Sequence, residues 1–523
     1  MKNPRLVYYN DAHHFHAKRI EPPASIHMLQ WPVDEVLGTG VDLLVLGLGY
    51  GDVYFHDSKV GRVVGQMKEV WEGYIDWRIM RMVEAGKELG TDQLREVIGR
   101  GREMGLAVFP SLKLQDSTAP GGDRCGLLKW EHEAAVCIGE EGRAQWCYDY
   151  ANELVCQNKL AMIREVLEDY EADGIELDFM FDGYYFKGAE IEKNTPLMNR
   201  FVGRVRELAT QIGQRQGRQI PIMARVHLKR EENLEIGLDV EAWLKEGSID
   251  YVVGQDGDAV TDTGIQAPWL PAAARAAGGA AYFRPPRRIY DERVGLPSIE
   301  MYRALGQNLL VQGYAGMYHG YLPWPLSTRE YEILREVAFP EVQARRDKRY
   351  LLAPREGAMD EPTTTPQRQL PIELAEGATH AANIWVADDL ESARSDGEMR
   401  PPILTLRFSF FCIEDDIEFR FNGRVLPWEE AEISDERALS IQVQLAGSMQ
   451  VQAPLGMSAH WFRYKLPVDA LRQGENSLEI EVRKFDKKAG FSRSLNGLEV
   501  QTRYRDFVRP EGLEAERIAP KGG

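Results

Sequence analysis

The sequence predicts an α/β chain, a (β/α)8 barrel followed by a C-terminal antiparallel β-sandwich, and three observations carry that expectation. Short apolar runs alternate with amphipathic stretches through about residue 340, the pattern of a parallel sheet with crossover helices. The runs number eight, which closes a barrel. Beyond a proline-rich stretch the apolar period changes from helical to two, as half-buried antiparallel strands require.

In chain order the expected barrel strands are Leu6–Asn10, Asp42–Leu48, Ala107–Leu112, Gly174–Phe179, Ile222–Val226, Tyr251–Gly254, Ala280–Phe283 and Gly316–His319. Amphipathic stretches such as Asp92–Met104, Leu197–Ile212, Val240–Lys245 and Ile299–Leu310 lie between them and supply the helices. Met104-Gly105-Leu-Ala-Val and Ala172-Asp-Gly174-Ile share one device, in which a left-handed glycine ends a helix and starts a strand. Ser327-Thr-Arg-Glu330 has the spacing of a capping box and opens the last helix.

Between Ala353 and Pro371 the chain carries Pro354, Pro362, Pro366, Pro371 and a Thr-Thr-Thr run, the composition of a linker. The strands expected after it are Ile403–Cys412, Ile417–Phe421, Ala438–Val443, Phe462–Leu466 and Ser477–Val482, with Asn422-Gly423 as a hairpin turn. The expected organisation is a barrel over 1–350, a linker over 351–372 and a β-sandwich over 373–510.

Composition narrows the function. With 63 basic and 81 acidic residues the formal charge is −18, and there is no dense Lys/Arg run. That balance disfavours nucleic acid and anionic membranes, leaving a neutral or locally recognised ligand. No stretch approaches the roughly 18 apolar residues a membrane span needs, so the chain as given is expected in the cytoplasm, or exported if a signal peptide has been removed. Cys125, Cys137, Cys147, Cys156 and Cys412 are odd in number, scattered, and never form Cys-x-x-Cys, which points to reduced thiols. Gly47-Leu-Gly49-Tyr-Gly51 lacks the spacing of a nucleotide-binding loop and reads as close backbone packing. No Gly-x-Ser-x-Gly elbow appears.

Asp173-Gly-Ile-Glu-Leu-Asp-Phe179 is similar to fourth-strand motifs of glycoside-hydrolase-like barrels. Phe419-Arg-Phe-Asn-Gly423 and the stretch from Leu466 to Ile480 are similar to galactose-binding-like sandwiches. The whole chain thus resembles bacterial glycoside hydrolases of the (β/α)8 type with a C-terminal jelly-roll module. The resemblance implies hydrolysis of a glycosidic bond in an oligo- or polysaccharide, with no cofactor and no resident metal. Homo-oligomerisation is compatible with it.

Such hydrolysis needs two carboxyl groups across the scissile bond, about 5 Å apart for retention and roughly 6.5 to 9.5 Å for inversion. Glu176 and Asp178, two apart on one strand, share a face at the rim where such barrels do chemistry. Asp178 is the expected nucleophile or base, and Glu176, deeper, is expected to pair with Arg225 on the next strand. The seventh strand, Ala-Tyr282-Phe283-Arg284, offers no carboxylate, unlike the commonest retaining barrels. A second arrangement among the retaining barrels this chain resembles places the nucleophile after strand four and the acid/base after strand six, and that resemblance makes Asp256 the acid/base candidate, with ordinary turn chemistry as the alternative; Asp182 and Asp11 are substitutes.

His13, His14 and His16 cluster after the first strand and could hydrogen-bond sugar hydroxyls, cap the loop, or, with His227 and His319, hold a metal. The metal reading defines the runner-up, a metal-dependent hydrolase; a non-catalytic carbohydrate-binding protein is the third. Tyr184, Tyr185, Tyr318 and Trp324 are candidate sugar-stacking platforms or loop core. Arg284, Arg287 and Arg288 could bind an acidic sugar or pair with Asp291 and Glu292.

Overall fold

The computed structural model describes residues 3–18, 23–256, 259–260, 262–285, 288–289, 298–320, 322, 325–352, 369–435 and 459–505. The chain forms two compact units. One comprises Met1–Gly257, Ala267–Arg287 and Gln312–Ala338, and the other Asp258–Gln266, Arg288–Val311 and Phe339–Gly523.

In the first unit eight parallel strands close into a barrel in sequence order: β1 (Leu6–Asn10), β2 (Leu43–Gly47), β3 (Ala107–Lys113), β4 (Ile175–Asp178), β5 (Ile222–His227), β6 (Tyr251–Gln255), β7 (Ala280–Arg284) and β8 (Gly316–Gly320). Each lies within a residue or two of its expected bounds. β1 and β2 are buried along their whole length, because a parallel strand covered on both faces needs apolar residues at every position. Val7, Tyr9, Val45, Phe109, Met223, Val253, Tyr282 and Tyr318 pack together inside the barrel. Alternation from these positions puts Ser111, Lys113, Glu176, Asp178, Arg225, His227, Gln255 and Arg284 on the same interior face, toward the C-terminal ends of the strands.

The helices start and stop by local chemistry. α1 (Ala12–Lys18) follows β1 directly. Asp92 caps α2 (Gln93–Met104) by accepting from the Arg95 amide at 2.9 Å, and Gly105 at φ 72° ends it. α3 (Glu153–Glu168) ends differently from the expectation. Glu171, at φ 53°, is the left-handed residue there, and Gly174 is required because the Phe109 ring lies 2.4 Å from where its Cβ would be. α4 (Ile191–Gln216) precedes β5, and α5 (Thr328–Glu336) opens with the expected capping box between Ser327 and Glu330. The glycines after β2 are packing glycines, since a Cβ on Gly49 would lie 2.1 Å from the Val53 carbonyl oxygen. None of the helices among the described residues is long and apolar enough to cross a membrane.

The second unit contains two antiparallel sheets. Its strands are β9 (Lys348–Leu352), β10 (Ile372–Glu373), β11 (Thr379–Val386), β12 (Met399–Ser409), β13 (Asp416–Phe421), β14 (Arg424–Leu426), β15 (Glu432–Asp435), β16 (Ala459–Lys465), β17 (Gly474–Lys484) and β18 (Ser494–Tyr504). One sheet runs β9-β18-β12-β16-β15 with β10 also on β18, and the other β11-β17-β13-β14. Leu404, Leu406, Phe408, Leu498 and Val500 of the first share a core with Ile384, Phe419, Leu478 and Ile480 of the second, the arrangement of a sandwich. Asn422 and Gly423, at φ 53° and 81°, turn the β13–β14 hairpin. β12 ends at Ser409, before Phe410 at φ 56°, and the strand expected at Ala438–Val443 lies outside the described residues. All five cysteines are free thiols.

Candidate active site

The centre of the site is a cationic side chain between two acids inside the barrel. Register sets Lys113, Asp178 and Arg225 side by side on β3, β4 and β5. Arg225 Nη2 donates to Asp178 Oδ2, and its Nη1 donates to Gln255 Oε1 at 3.2 Å. Its Nε lies 3.7 Å from Glu176 Oε1, so the expected Glu176–Arg225 pair exists, but Asp178 makes the closer contact. The Tyr9 and Tyr318 rings lie 5.2 and 5.8 Å from the guanidinium, adding aromatic faces to its surroundings. Asp178 Oδ1 accepts from the Met180 amide at 2.8 Å, which fixes the carboxylate at the strand end.

Glu176 and Asp178 are both almost fully buried. Burial pushes the Glu176 carboxyl above its ordinary pKa; the Arg225 charge opposes this and the Asp178 charge reinforces it. Ser111 Oγ donates to Glu176 Oε1 at 2.6 Å, while the Tyr318 hydroxyl approaches without regular hydrogen-bond geometry. Burial works against the Arg225 charge, yet Asp178, Tyr318 and Glu176 override it and hold the guanidinium protonated. The direction of the Glu176 shift lessens the negative charge that the guanidinium must balance in a dry interior.

Asp256 directly follows Gln255 and is half-buried. Gln255 stands in register with His227, two residues beyond Arg225, so Asp256 is two strands from Asp178 and three residues further toward the mouth. Tyr318 belongs to this interior group. His319 does not, because alternation turns it to the opposite face of β8, where burial pushes its pKa down to about 3. Arg284 lies on the interior face at the end of β7 and is buried.

The histidines separate. His13 stacks on Tyr50, with ring centroids 4.2 Å apart, and its amide donates to Asp11 Oδ1 at 3.0 Å. His16 is buried against Phe55, donates through Nδ1 to the Ala12 carbonyl at 2.7 Å, and has its pKa lowered to about 4 by burial. His227 ends β5 beside Glu232, 3.6 Å away, and its pKa is also lowered by burial to about 4, so the contact is made by a neutral ring at pH 7. The His14 side chain, Trp324, Arg287, Asp291 and Glu292 lie outside the described residues, as does the Arg288 side chain. Tyr184 is exposed, whereas Tyr185 is core, its hydroxyl donating to the Phe179 carbonyl at 2.7 Å and its ring packed on Tyr150. Among the described residues, the one grouping of side chains close enough to share a metal ion is Cys412, Glu414 and Asp486 in the second unit, without any of these histidines.

Sequence reasoning missed a second polar layer in the loops after β2 and β3. Asp52 accepts from Tyr54 and Tyr148, each at 2.6 Å, and from Lys159 at 2.8 Å, and these partners hold its carboxyl below the ordinary range against the penalty of burial. Lys129 Nζ donates to the Asp116 carbonyl at 2.6 Å and lies 3.4 Å from its carboxylate. The available signal was lysine on the buried side of an amphipathic helix, Lys159 between Val155 and Ile163, which demands an acid partner. Asp182 accepts from the Ser117 amide at 3.0 Å, and burial, then the Asp116 charge, raises its pKa.

No protein-family model matches the sequence, and neither does any curated protein. Among solved structures, the fold is similar to that of the endo-beta-1,4-mannanase from Thermotoga petrophila, at 12% identity over 95% of this chain and 98% of that one, with a TM-score of 0.45. It is similar to the glycoside hydrolase domain of PgaB (BpsB) from Bordetella bronchiseptica, at 14% identity over 65% and 97%, TM-score 0.38. A third is the cycloisomaltooligosaccharide glucanotransferase from Paenibacillus sp., at 11% identity over 95% of this chain, TM-score 0.36; the chain spans 57% of that enzyme's length. These solved structures are enzymes that act on glycans, and the likeness is one of fold.

Proposed function

We propose that the chain is a glycoside hydrolase that cleaves an O-glycosyl bond in an oligo- or polysaccharide with rim carboxylates. The observation that supports this most is Asp178 at the C-terminal end of β4, its charge balanced by Arg225 and one oxygen fixed by the Met180 amide. A carboxylate so placed is aimed at the face where (β/α)8 enzymes hold substrate. Glu176 sits where burial raises its carboxyl above the ordinary range, while Asp178, at the strand end, makes the closer ion pair with Arg225.

In this reading Asp178 attacks the anomeric carbon or activates a water beside it. The leaving oxygen takes its proton from Asp256 as the glycosidic C–O bond breaks. In the retaining case Asp256 then removes a proton from water, which displaces Asp178. Glu176 and Arg225 are positioning residues that set the orientation and charge of Asp178.

The test is product formation from a panel of oligosaccharides and aryl glycosides by wild type, Asp178→Asn and Asp256→Asn, with and without chelator. The expected result is chelator-insensitive cleavage that falls about 10³-fold or more in each variant. Activity that survives Asp178→Asn and is abolished by chelator would move the chemistry to the histidines; binding without product, indifferent to Asp178→Asn, would make this a carbohydrate-binding protein.

A further inference from the structure

We propose that Arg124, stacked on Tyr50, forms an anion-binding subsite at the barrel mouth, so that the glycan recognised there carries a carboxylate or sulfate group. The inference deepens the glycoside hydrolase reading and rests on it for the nature of the ligand; the subsite itself rests on its own geometry.

Three successive strand-to-helix connections contribute. His13 follows β1, Tyr50 follows β2 and Arg124 lies on the loop after β3, all at the C-terminal ends of the strands. The Arg124 guanidinium carbon is 3.8 Å from the Tyr50 ring centroid, and the His13 ring lies nearly parallel to the same ring, at 7° and 4.2 Å. Two flat groups that close to one centroid must take opposite faces, so Tyr50 is sandwiched between an imidazole and a guanidinium. Arg124 Nη2 donates to the Tyr50 hydroxyl at 2.5 Å, which anchors the guanidinium over the ring.

The backbone holds the arginine in place. Gly51 adopts φ 63°, and a Cβ there would lie 2.8 Å from Arg124 Cβ, so the two loops touch through a position only glycine fills. The Asp52 amide donates to the Arg124 carbonyl at 3.1 Å and locks the same contact. A guanidinium ordered before binding loses little freedom on binding.

No carboxylate of the described residues pairs with Arg124, although acids outnumber bases by 81 to 63 along the chain. Its neighbour Asp123 is engaged by Lys68 at 2.6 Å. Arg124 is half-buried, its face is occupied by Tyr50 and one Nη2–H is taken by the Tyr50 hydroxyl, while no described residue accepts from its Nε or Nη1. The second Nη2–H with a neighbouring N–H completes a pair of parallel donors that matches a planar carboxylate or a sulfate and discriminates against a neutral hydroxymethyl group.

The experiment compares, on the full chain, polyuronate oligomers with their carboxyl-reduced counterparts and sulfated oligomers with their desulfated counterparts, by cleavage and by calorimetric binding. The expected result is a preference of about ten-fold or more for one charged form over its neutral counterpart, which identifies the group as carboxylate or sulfate. In Arg124→Gln that ratio collapses to within about three-fold, and Arg124→Lys, with charge but no fork, falls between. The wild-type ratio also shrinks as salt is raised, a readout independent of whether any variant folds. Charged oligomers that bind without being cleaved, and lose that binding in Arg124→Gln, keep the subsite and sink the hydrolase reading. Cleavage of neutral oligomers with a salt-independent ratio near one keeps the hydrolase and overturns the subsite, and so does absence of binding by every charged oligomer.

Discussion

Arg225 and Asp178 occupy directly paired positions on β5 and β4, and the guanidinium donates to the carboxylate from inside the barrel. Glu176 leans on the same guanidinium from one residue pair deeper, so one cation serves two buried acids. Removing it leaves both without a counter-charge. Arg225→Met should therefore destabilise the barrel by about 3–5 kcal/mol in urea unfolding, whereas Arg225→Lys keeps the charge, folds, and loses activity through the missing fork. Near-wild-type stability of Arg225→Met would show that Asp178 finds its compensation elsewhere.

Glu176 sets a pH dependence of definite sign. Its folded pKa is raised above the ordinary 4.5 by burial, with the Asp178 charge adding to it and Arg225 opposing it. A raised carboxyl contributes stability that is complete below 4.5 and is lost as pH rises through the folded value. Glu176→Gln mimics the neutral form at every pH. Its stability relative to wild type should therefore rise between pH 4.5 and neutrality, measured as the difference in urea unfolding free energy; a difference flat in pH refutes the assignment.

The barrel was legible because each strand is a short apolar run between turn residues, and the bounds of β1 came directly from Leu6 to Asn10. Glu176 and Asp178 were legible from spacing alone, since a period of two puts both on one face. What sequence did not settle was which face. His319 and Tyr318 are adjacent in the chain and point to opposite sides of β8, and only closure of the barrel decides which is inside. Tyr184 and Tyr185 diverge for the same kind of reason, because the loop buries the second ring against Tyr150 and Phe179. The Arg124–Tyr50–His13 stack joins residues from three loops, and no local pattern announces it.

Three imidazoles whose pKa burial lowers predict acid sensitivity. Burial lowers His16 and His227 to about 4 and His319 to about 3, from an ordinary 6.5. A lowered imidazole contributes stability that is present above 6.5 and lost as pH falls toward the folded values, because the unfolded chain takes up protons the fold excludes. Between pH 6 and 4 the unfolding free energy should drop with a slope of about one proton per histidine, roughly 1.4 kcal/mol per pH unit each. His16→Gln should remove about one proton from that slope. An unchanged slope in the variant would mean that His16 is charged in the fold.

In the second unit Asp415 and Arg493 form a two-point pair, Nε to Oδ2 and Nη2 to Oδ1, both at 2.9 Å, with both side chains buried. Arg493 also donates to the carbonyls of Ala489 and Phe491, so it ties the β17–β18 connection to the turn before β13. Asp415→Asn keeps the shape but strips the charge from the acceptor, leaving a buried guanidinium uncompensated, and should cost about 3–5 kcal/mol. Replacing both partners by apolar residues of similar volume, Asp415→Leu with Arg493→Met, should cost much less than Asp415→Asn alone, because no charge is then left buried. Hydrogen exchange on β13 and β18 separates these outcomes. If the double variant were the less protected of the two, the pair would be contributing net stability rather than only avoiding an uncompensated charge.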